Sequence, residues 1–302
     1  MHLGQELKSI SLAPMTTWRI GGPAERLYYP RNIEDLSLYL QQLPLEMPLT
    51  WLGLGSNLLV RDQGISGAVI ATRPLNQLKL KKNLVYAEAG VTCAKLARFC
   101  RQHGYQGADF FAGIPGTVGG ALAMNAGAFG GETWQVVKAV QTITRSGLCR
   151  WRCATEFDIS YRAVTHRDFA HTLEGFVAAI FELPLALSSE PSKIRAWLQQ
   201  RNQTQPIGTF NCGSVFHNPP GDYAARLIEH CGLKGFRLGG AMISPKHANF
   251  IINVNHATAQ EMEQLITLIQ NEIQAQYQIA LTLEVKILGQ SRDSNYGHQD
   301  SA

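Results

Sequence analysis

The chain has 302 residues, 45% hydrophobic and 17% charged, with 27 Lys+Arg against 23 Asp+Glu for a formal charge of +4. Those proportions describe two or three globular domains whose cores need no disulfide or metal staple, and they exclude disordered and collagen-like chains. No apolar run approaches the ~18 residues of a membrane span, so membrane insertion is not expected.

The densest basic cluster, Lys79, Lys81 and Lys82, carries no interleaved aromatic pair, which argues against a nucleic-acid ligand. Residues 1–15 lack the charged-then-apolar order of an export signal, and a cytoplasmic location is expected. Six cysteines (Cys93, Cys100, Cys149, Cys153, Cys212, Cys231) form no C-x-x-C pair, and none of the nine histidines stands in H-E-x-x-H. No metal site is expected, and the thiols read as buried and free.

Taken in chain order, residues 1–76 begin with the pair Gly21-Gly22 and continue into a helix from Ile33 with Leu36, Leu40 and Leu43 on one face. Pro44 and Pro48 end it. A strand at 49–52 runs into Gly53-Leu54-Gly55-Ser56-Asn57, and 68–71 reads as another strand. Residues 77–190 start with a strand at 84–89 and a helix after Thr92 whose face is Leu96, Phe99 and Cys100. A glycine-rich stretch, 113–131, follows. Strands at 139–144 and 148–153 flank Ser146-Gly147 as a hairpin.

Residues 191–289 open with a helix around Ile194, Trp197 and Leu198. A second helix, capped by Asp222, carries Leu227 and Ile228 inward and stops at Gly232. Thr258 and Glu261 form a capping-box pair ahead of Met262, Leu265, Ile266, Ile269 and Ile273, spaced for one helical face. A last strand alternates Leu281, Leu283, Val285 and Ile287 with Thr282, Glu284 and Lys286, putting Glu284 on its polar side. The polar tail 290–302 is expected to be disordered. Strands follow strands directly as often as they alternate with helices, so the fold class is α+β.

The Gly53 loop fits only part of G-x-G-x-x-G, because Leu58 takes the third glycine position, and the Gly113 stretch lacks a G-K-[ST] ending. Each loop alone also reads as a set of tight turns. Together they bring backbone N–H groups near a pyrophosphate, with Asn57 and Asn125 at hand, and the pair favours a cofactor lying against the main chain.

Several strings, in order, resemble one family. They are Thr16-Thr17-Trp18-Arg19-Ile20-Gly21-Gly22-Pro23-Ala24, then Gly53-Leu54-Gly55-Ser56-Asn57-Leu58-Leu59-Val60, and Gly113-Ile114-Pro115-Gly116-Thr117-Val118-Gly119-Gly120-Ala121 followed by Met124-Asn125-Ala126-Gly127-Ala128. Tyr161-Arg162, Gly213-Ser214-Val215-Phe216, Lys246-His247-Ala248-Asn249-Phe250 and Leu283-Glu284-Val285-Lys286-Ile287-Leu288-Gly289 complete the set. The sequence is similar to the UDP-N-acetylenolpyruvoylglucosamine reductases, flavoenzymes also called UDP-N-acetylmuramate dehydrogenases.

The resemblance implies a two-subdomain FAD-binding fold of the vanillyl-alcohol-oxidase (PCMH) type with a C-terminal α+β substrate domain, to which the zones separated by sequence pattern, 1–76, 77–190 and 191–289, are assigned in order. It implies non-covalent FAD held by Gly53, Gly55, Ser56, Asn57 and Leu58 and by Gly113, Ile114, Pro115, Gly116, Thr117, Gly119, Gly120, Asn125, Ala126 and Gly127. NADPH is the implied electron source and peptidoglycan precursor synthesis the implied pathway. The short path from Tyr161-Arg162 to Ser214 resembles the branch without an extra substrate-capping loop.

Reduction of an enolpyruvyl ether needs a hydride at the terminal methylene carbon and a proton at the ether-bearing carbon. By the resemblance, Arg162 holds the substrate carboxylate, for which a planar guanidinium fork is well shaped. Ser214 gives the proton, and Glu284, when protonated, donates a hydrogen bond to the charged intermediate. Tyr161, His217, Asn249 and Arg19 are candidate substrate contacts. His217 stands where the family commonly has lysine, and its role is left open. The alternatives are another flavin oxidoreductase of the same fold and a non-catalytic regulator that binds flavin or a sugar nucleotide.

Overall fold

Helices begin where the sequence supplies a cap. Asn32 accepts the Asp35 N–H at 2.7 Å and starts α1, Ile33–Gln42, which buries Ile33, Leu36, Tyr39 and Leu40. Leu36 and Leu40 are the expected face, Ile33 and Tyr39 extend it, and Leu43, expected with them, is buried just past the helix as its C-cap. Thr92 caps α2, Cys93–Gln102, by accepting the Lys95 N–H, and Cys93, Leu96, Ala97 and Cys100 turn inward. A short helix, α3, spans Val118–Ala123.

The computed structural model describes residues 3–167, 175–185 and 194–290. Most of the expected disordered tail lies outside them. The chain forms two units, one of Met1–Leu7, Leu27–Leu54 and Ala68–Gln200, the other of Lys8–Arg26, Gly55–Gly67 and Arg201–Ala302.

The first unit is built on a five-stranded antiparallel sheet, in the order Cys149–Cys153, Val137–Ile143, Gly175–Phe181, Leu84–Glu88, Leu78–Lys81. The hairpin joining its first two strands turns at Gly147, φ +80°. Residues 68–71 pair in parallel with Leu49–Leu52. Leu36, Leu40, Ile70 and Val177 pack in one core; Leu96, Phe111, Val118 and Phe181 lie in another. Each large apolar side chain withdrawn from water contributes roughly 1.5–3 kcal/mol. Helix α4, Ile194–Thr204, buries none of its residues. The helix expected around Ile194, Trp197 and Leu198 thus forms, and Trp197 stacks on Phe129 with ring centroids 4.7 Å apart.

The second unit holds an antiparallel three-stranded sheet, Arg237–Leu238, Ala241–Ile243 and Ile251–Asn253, and a parallel pair, Leu58–Val60 with Lys286–Leu288. Helix α5 spans Ala224–His230 and α6 spans Ala259–Tyr277. The Thr258/Glu261 capping box forms, and Met262, Leu265, Ile266, Ile269 and Ile273 are all buried.

Two local expectations change. Asp222 does not cap α5; Asn218 accepts the Ala224 N–H at 3.1 Å. Asp222 pairs with Arg226, which holds its carboxyl down at about 2. Only Lys286–Leu288 of the last alternating stretch is a regular strand. Ahead of it the chain makes one isolated bridge, Phe216 to Leu283, and Glu284 sits in irregular backbone with its side chain only 15% exposed.

Candidate active site

In the first unit the glycines make room for other protein atoms before they make room for a ligand. The Thr117 hydroxyl lies over Gly53, where a Cβ would come within 2.6 Å of it. That hydroxyl is buried and has no hydrogen-bond partner. The N–H groups of Val118 and Gly119 donate to the carbonyls of Val91 and Ala89 at 2.8 Å each, docking the start of α3 on the chain that follows strand Leu84–Glu88. A Cβ on Gly119 would meet Ala89 Cβ at 2.9 Å, whereas one on Gly120 would meet only Thr117 Oγ1, at 3.8 Å. The unobstructed side of α3 is therefore the Gly120 side.

Asn125, at φ +38° and 3% exposed, engages its amide within the protein. Nδ2 donates to Glu132 Oε2 at 3.0 Å and to the Ser160 carbonyl at 3.3 Å, and Oδ1 accepts the Trp134 N–H at 3.2 Å. Those contacts steady the strand that precedes Tyr161 and Arg162. Strands Phe157–Ser160 and Ala163–His166 pair so that Tyr161-Arg162 is the two-residue turn between them. Arg162 takes φ +58°, a left-handed conformation rare outside glycine and enriched at functional sites. Its guanidinium carbon lies 5.1 Å from the Tyr161 ring centroid, and Tyr161 is 61% exposed. The turn thus presents a cation and an aromatic face. Among the remaining positions expected at the cofactor, Ile114 is buried and Gly127 pairs with Glu132 in a small hairpin. Ala126 donates its N–H to the Ala121 carbonyl and Gly116 donates to Ile114.

In the second unit Gly55, at φ +66°, leaves room for the Met15 carbonyl, which a Cβ would approach to 2.3 Å. Its own carbonyl accepts the N–H and hydroxyl of Thr17. Arg19, at φ +59°, donates to the Pro14 carbonyl and lies 5.9 Å from the Phe210 ring centroid. Ser214 follows Gly213, φ +84°, and precedes a stretch clamped from both sides. Val215 N–H donates to the Asn249 carbonyl, and Phe216 N–H and C=O are both held by the Asn249 amide at 3.0 and 2.8 Å. His217 N–H donates to Thr282, and Glu284 N–H donates to Val215 at 2.8 Å. Asn249 is 3% exposed, so its amide holds the chain beside Ser214, where the sequence suggested a substrate contact.

His217 Nδ1 lies 3.8 Å from Glu284 Oε2, too long for a direct hydrogen bond but close enough for attraction when the imidazole is protonated. Behind them burial pushes the Cys212 thiol well above its usual range, and the charge of Glu284 adds to the effect. Burial raises Cys93 and Cys100 to about 12. These three thiols are core groups and not nucleophiles. Among the described residues no group of three His, Cys, Asp or Glu could hold a metal ion, and no helix is long and apolar enough to cross a membrane.

Residues 24–151 match the family model described as an FAD binding domain, and 205–288 match the C-terminal domain of UDP-N-acetylenolpyruvoylglucosamine reductase. The reductase of that name from Alkalilimnicola ehrlichii is 51% identical over 283 residues, 93% of this chain and 94% of the relative. The one from Methylococcus capsulatus is 49% identical over 294 residues, 96% and 95% of the two chains. The chain belongs to the UDP-N-acetylenolpyruvoylglucosamine reductases. The crystal structure of the Thermus caldophilus reductase agrees, with a TM-score of 0.79 at 30% identity, covering 94% of this chain and 98% of that one.

As a member of this family the protein is an FAD-dependent oxidoreductase of peptidoglycan synthesis, with an α+β fold that includes an FAD-binding domain. Its first unit fits that cofactor on its own terms. The Thr117 hydroxyl lacks a partner in a buried position, and the open face over Gly120 admits a group that a side chain there would displace.

Sequence reasoning missed the anchoring carbonyls of Ala89 and Val91, which carry no side-chain signal, and the Asn218 side chain that accepts the first N–H of α5. A search for Asn, Ser or Thr several residues ahead of α5 would have found the latter.

Proposed function

We propose that the enzyme reduces the enolpyruvyl ether of UDP-N-acetylglucosamine-enolpyruvate to UDP-N-acetylmuramate, with NADPH as electron source and in the cytoplasm. Bound FAD would supply the two-electron redox chemistry that links NADPH oxidation to reduction at the substrate's terminal methylene carbon. Residues 1–76 and 77–190 serve the flavin and 191–289 the substrate.

Arg162 pairs with the substrate carboxylate, where hydride addition drives negative charge; a preorganised donor at such a place lowers the barrier by roughly 2.7–4 kcal/mol. It stands in a left-handed backbone conformation at the tip of the hairpin, beside the Tyr161 ring. Ser214 gives the proton to the ether-bearing carbon. Glu284 stabilises the charge that develops, and Tyr161, His217 and Arg19 contact the substrate. The main chains of the loops at Gly53 to Leu58 and Gly113 to Gly127 hold the cofactor, the Asn57 and Asn125 side chains being turned to protein groups.

The observation that carries the reading is the bond from Glu284 N–H to the Val215 carbonyl. It ties the carboxyl-bearing residue to the immediate neighbour of the hydroxyl-bearing one, which supports their acting on one ligand.

The test is stopped-flow of Ser214→Ala in both half-reactions. Bleaching of the flavin by NADPH should remain near the parent rate, while recolouring by the enolpyruvyl sugar nucleotide slows by roughly 100-fold or more, the scale of lost general acid catalysis. Unchanged recolouring would remove Ser214 from the mechanism, and bleaching without any substrate-driven recovery in the parent would point to a different substrate.

A further inference from the structure

The resemblance assigns Asn57 to the cofactor, yet its carboxamide engages the protein. Nδ2 donates to the main-chain carbonyl of Glu284 at 3.0 Å. The Asn57 carbonyl in turn accepts the Lys286 N–H at 3.0 Å, one residue before Leu58 and Lys286 come into parallel register. Glu284 is thereby held on both sides, its N–H by Val215 and its C=O by Asn57.

The regular ladder begins only at Lys286. Glu284 therefore sits where the sheet no longer dictates the backbone, and a side-chain contact takes over that task. Its carboxyl is largely shielded from solvent, so a rotation of the peptide that follows would swing the group within a confined space.

We propose that Asn57 is a positioning residue for Glu284: its side-chain amide fixes the peptide on the C-terminal side of Glu284 and so sets the direction of the carboxyl. The inference rests on the reading of Glu284 as a catalytic residue. A displacement of about 1 Å in such a group costs on the order of 100-fold in rate. Asn57→Asp is the sharpest probe, since it keeps the shape of the side chain but turns a donor into an acceptor facing a carbonyl oxygen.

The experiment compares FAD content, bleaching by NADPH and recolouring by the enolpyruvyl sugar nucleotide in holoenzyme carrying Asn57→Asp, Asn57→Ala, Glu284→Gln and the double change Asn57→Asp with Glu284→Gln. Both Asn57 variants should keep their flavin and bleach within about twofold of the parent, while recolouring slows by roughly 10- to 100-fold. The double variant should be no slower than Glu284→Gln alone, because both changes disable the same group. Asn57→Ala keeps the test open should the partly buried charge of Asn57→Asp prevent folding.

Loss of FAD, or equal slowing of both half-reactions, would make Asn57 a flavin ligand and overturn the inference. Additive penalties in the double variant, with Glu284→Gln itself slow, would also overturn it while leaving Glu284 catalytic. Glu284→Gln recolouring at the parent rate would remove Glu284 from the mechanism, and the inference with it.

Discussion

Asn249 holds Phe216 by both its N–H and its carbonyl, two positions from Ser214, in a place closed to solvent. Truncation to alanine leaves two main-chain groups without partners, and each orphaned buried group costs about 1–3 kcal/mol. Asn249→Ala should therefore lower stability by about 2–4 kcal/mol in urea unfolding, with slower recolouring because the Ser214 backbone is released. A substrate contact would behave differently, raising KM with no change in the unfolding midpoint. Asn57, Asn125 and Asn249 all stand out in the sequence as amides among small or apolar residues, and all three engage backbone. An amide reads the same whether it aims at a ligand or at a peptide, and here the peptides lie 227, 35 and 33 positions away along the chain. The residue types were legible; their partners were not.

At the scale of elements, α6 shows what periodicity captures well. Its capping box and five expected inward residues all form, since both signals are local to one helix. The terminal strand shows the opposite case. Alternation ran through 281–287, yet only Lys286–Leu288 forms a regular ladder, because the partner strand Leu58–Val60 is itself just three residues long. No pattern in one strand reveals the length of its neighbour. Helix α3 gives a prediction of the same local kind. Gly119 packs against Ala89 while a Cβ on Gly120 would meet only Thr117 Oγ1, at an ordinary 3.8 Å, so Gly119→Val should destabilise the protein by about 1–3 kcal/mol through overpacking. Gly120→Val should leave the thermal midpoint of the flavin-free protein unchanged but reduce flavin absorbance per protein after purification. Full flavin occupancy in Gly120→Val would show that the cofactor does not approach α3 from that side.

For the whole molecule, the order of motifs announced the family, but the two units are not contiguous stretches of sequence. The chain passes between them at 7/8, 26/27, 54/55, 67/68 and 200/201, so strands Glu6–Ser11, Pro23–Tyr28 and Ile65–Ala71 each contribute residues to both. Divisions at 76 and 190 follow composition, which carries no record of such crossings. FAD should link directly to global stability, because a ligand that binds only the folded chain stabilises it by about 2.7 kcal/mol at a concentration 100 times its Kd. The thermal midpoint of stripped protein should rise steadily with added FAD and should rise far less in Gly120→Val. A midpoint independent of FAD in the parent chain would contradict the cradle built from Thr117 and Gly120.

The parallel pairing of Leu58–Val60 with Lys286–Leu288 also has a consequence for how the enzyme is born on the ribosome. Asn57 leaves the exit tunnel well before its partner Glu284, which lies 227 positions downstream, an interval of roughly 10–45 s at 5–20 residues per second. Throughout that time a short apolar strand has an empty edge. The carboxyl group proposed for catalysis takes its place only when nearly all of the described chain has been translated, so a stalled or truncated nascent chain is left able to bury much of its core but unable to turn over.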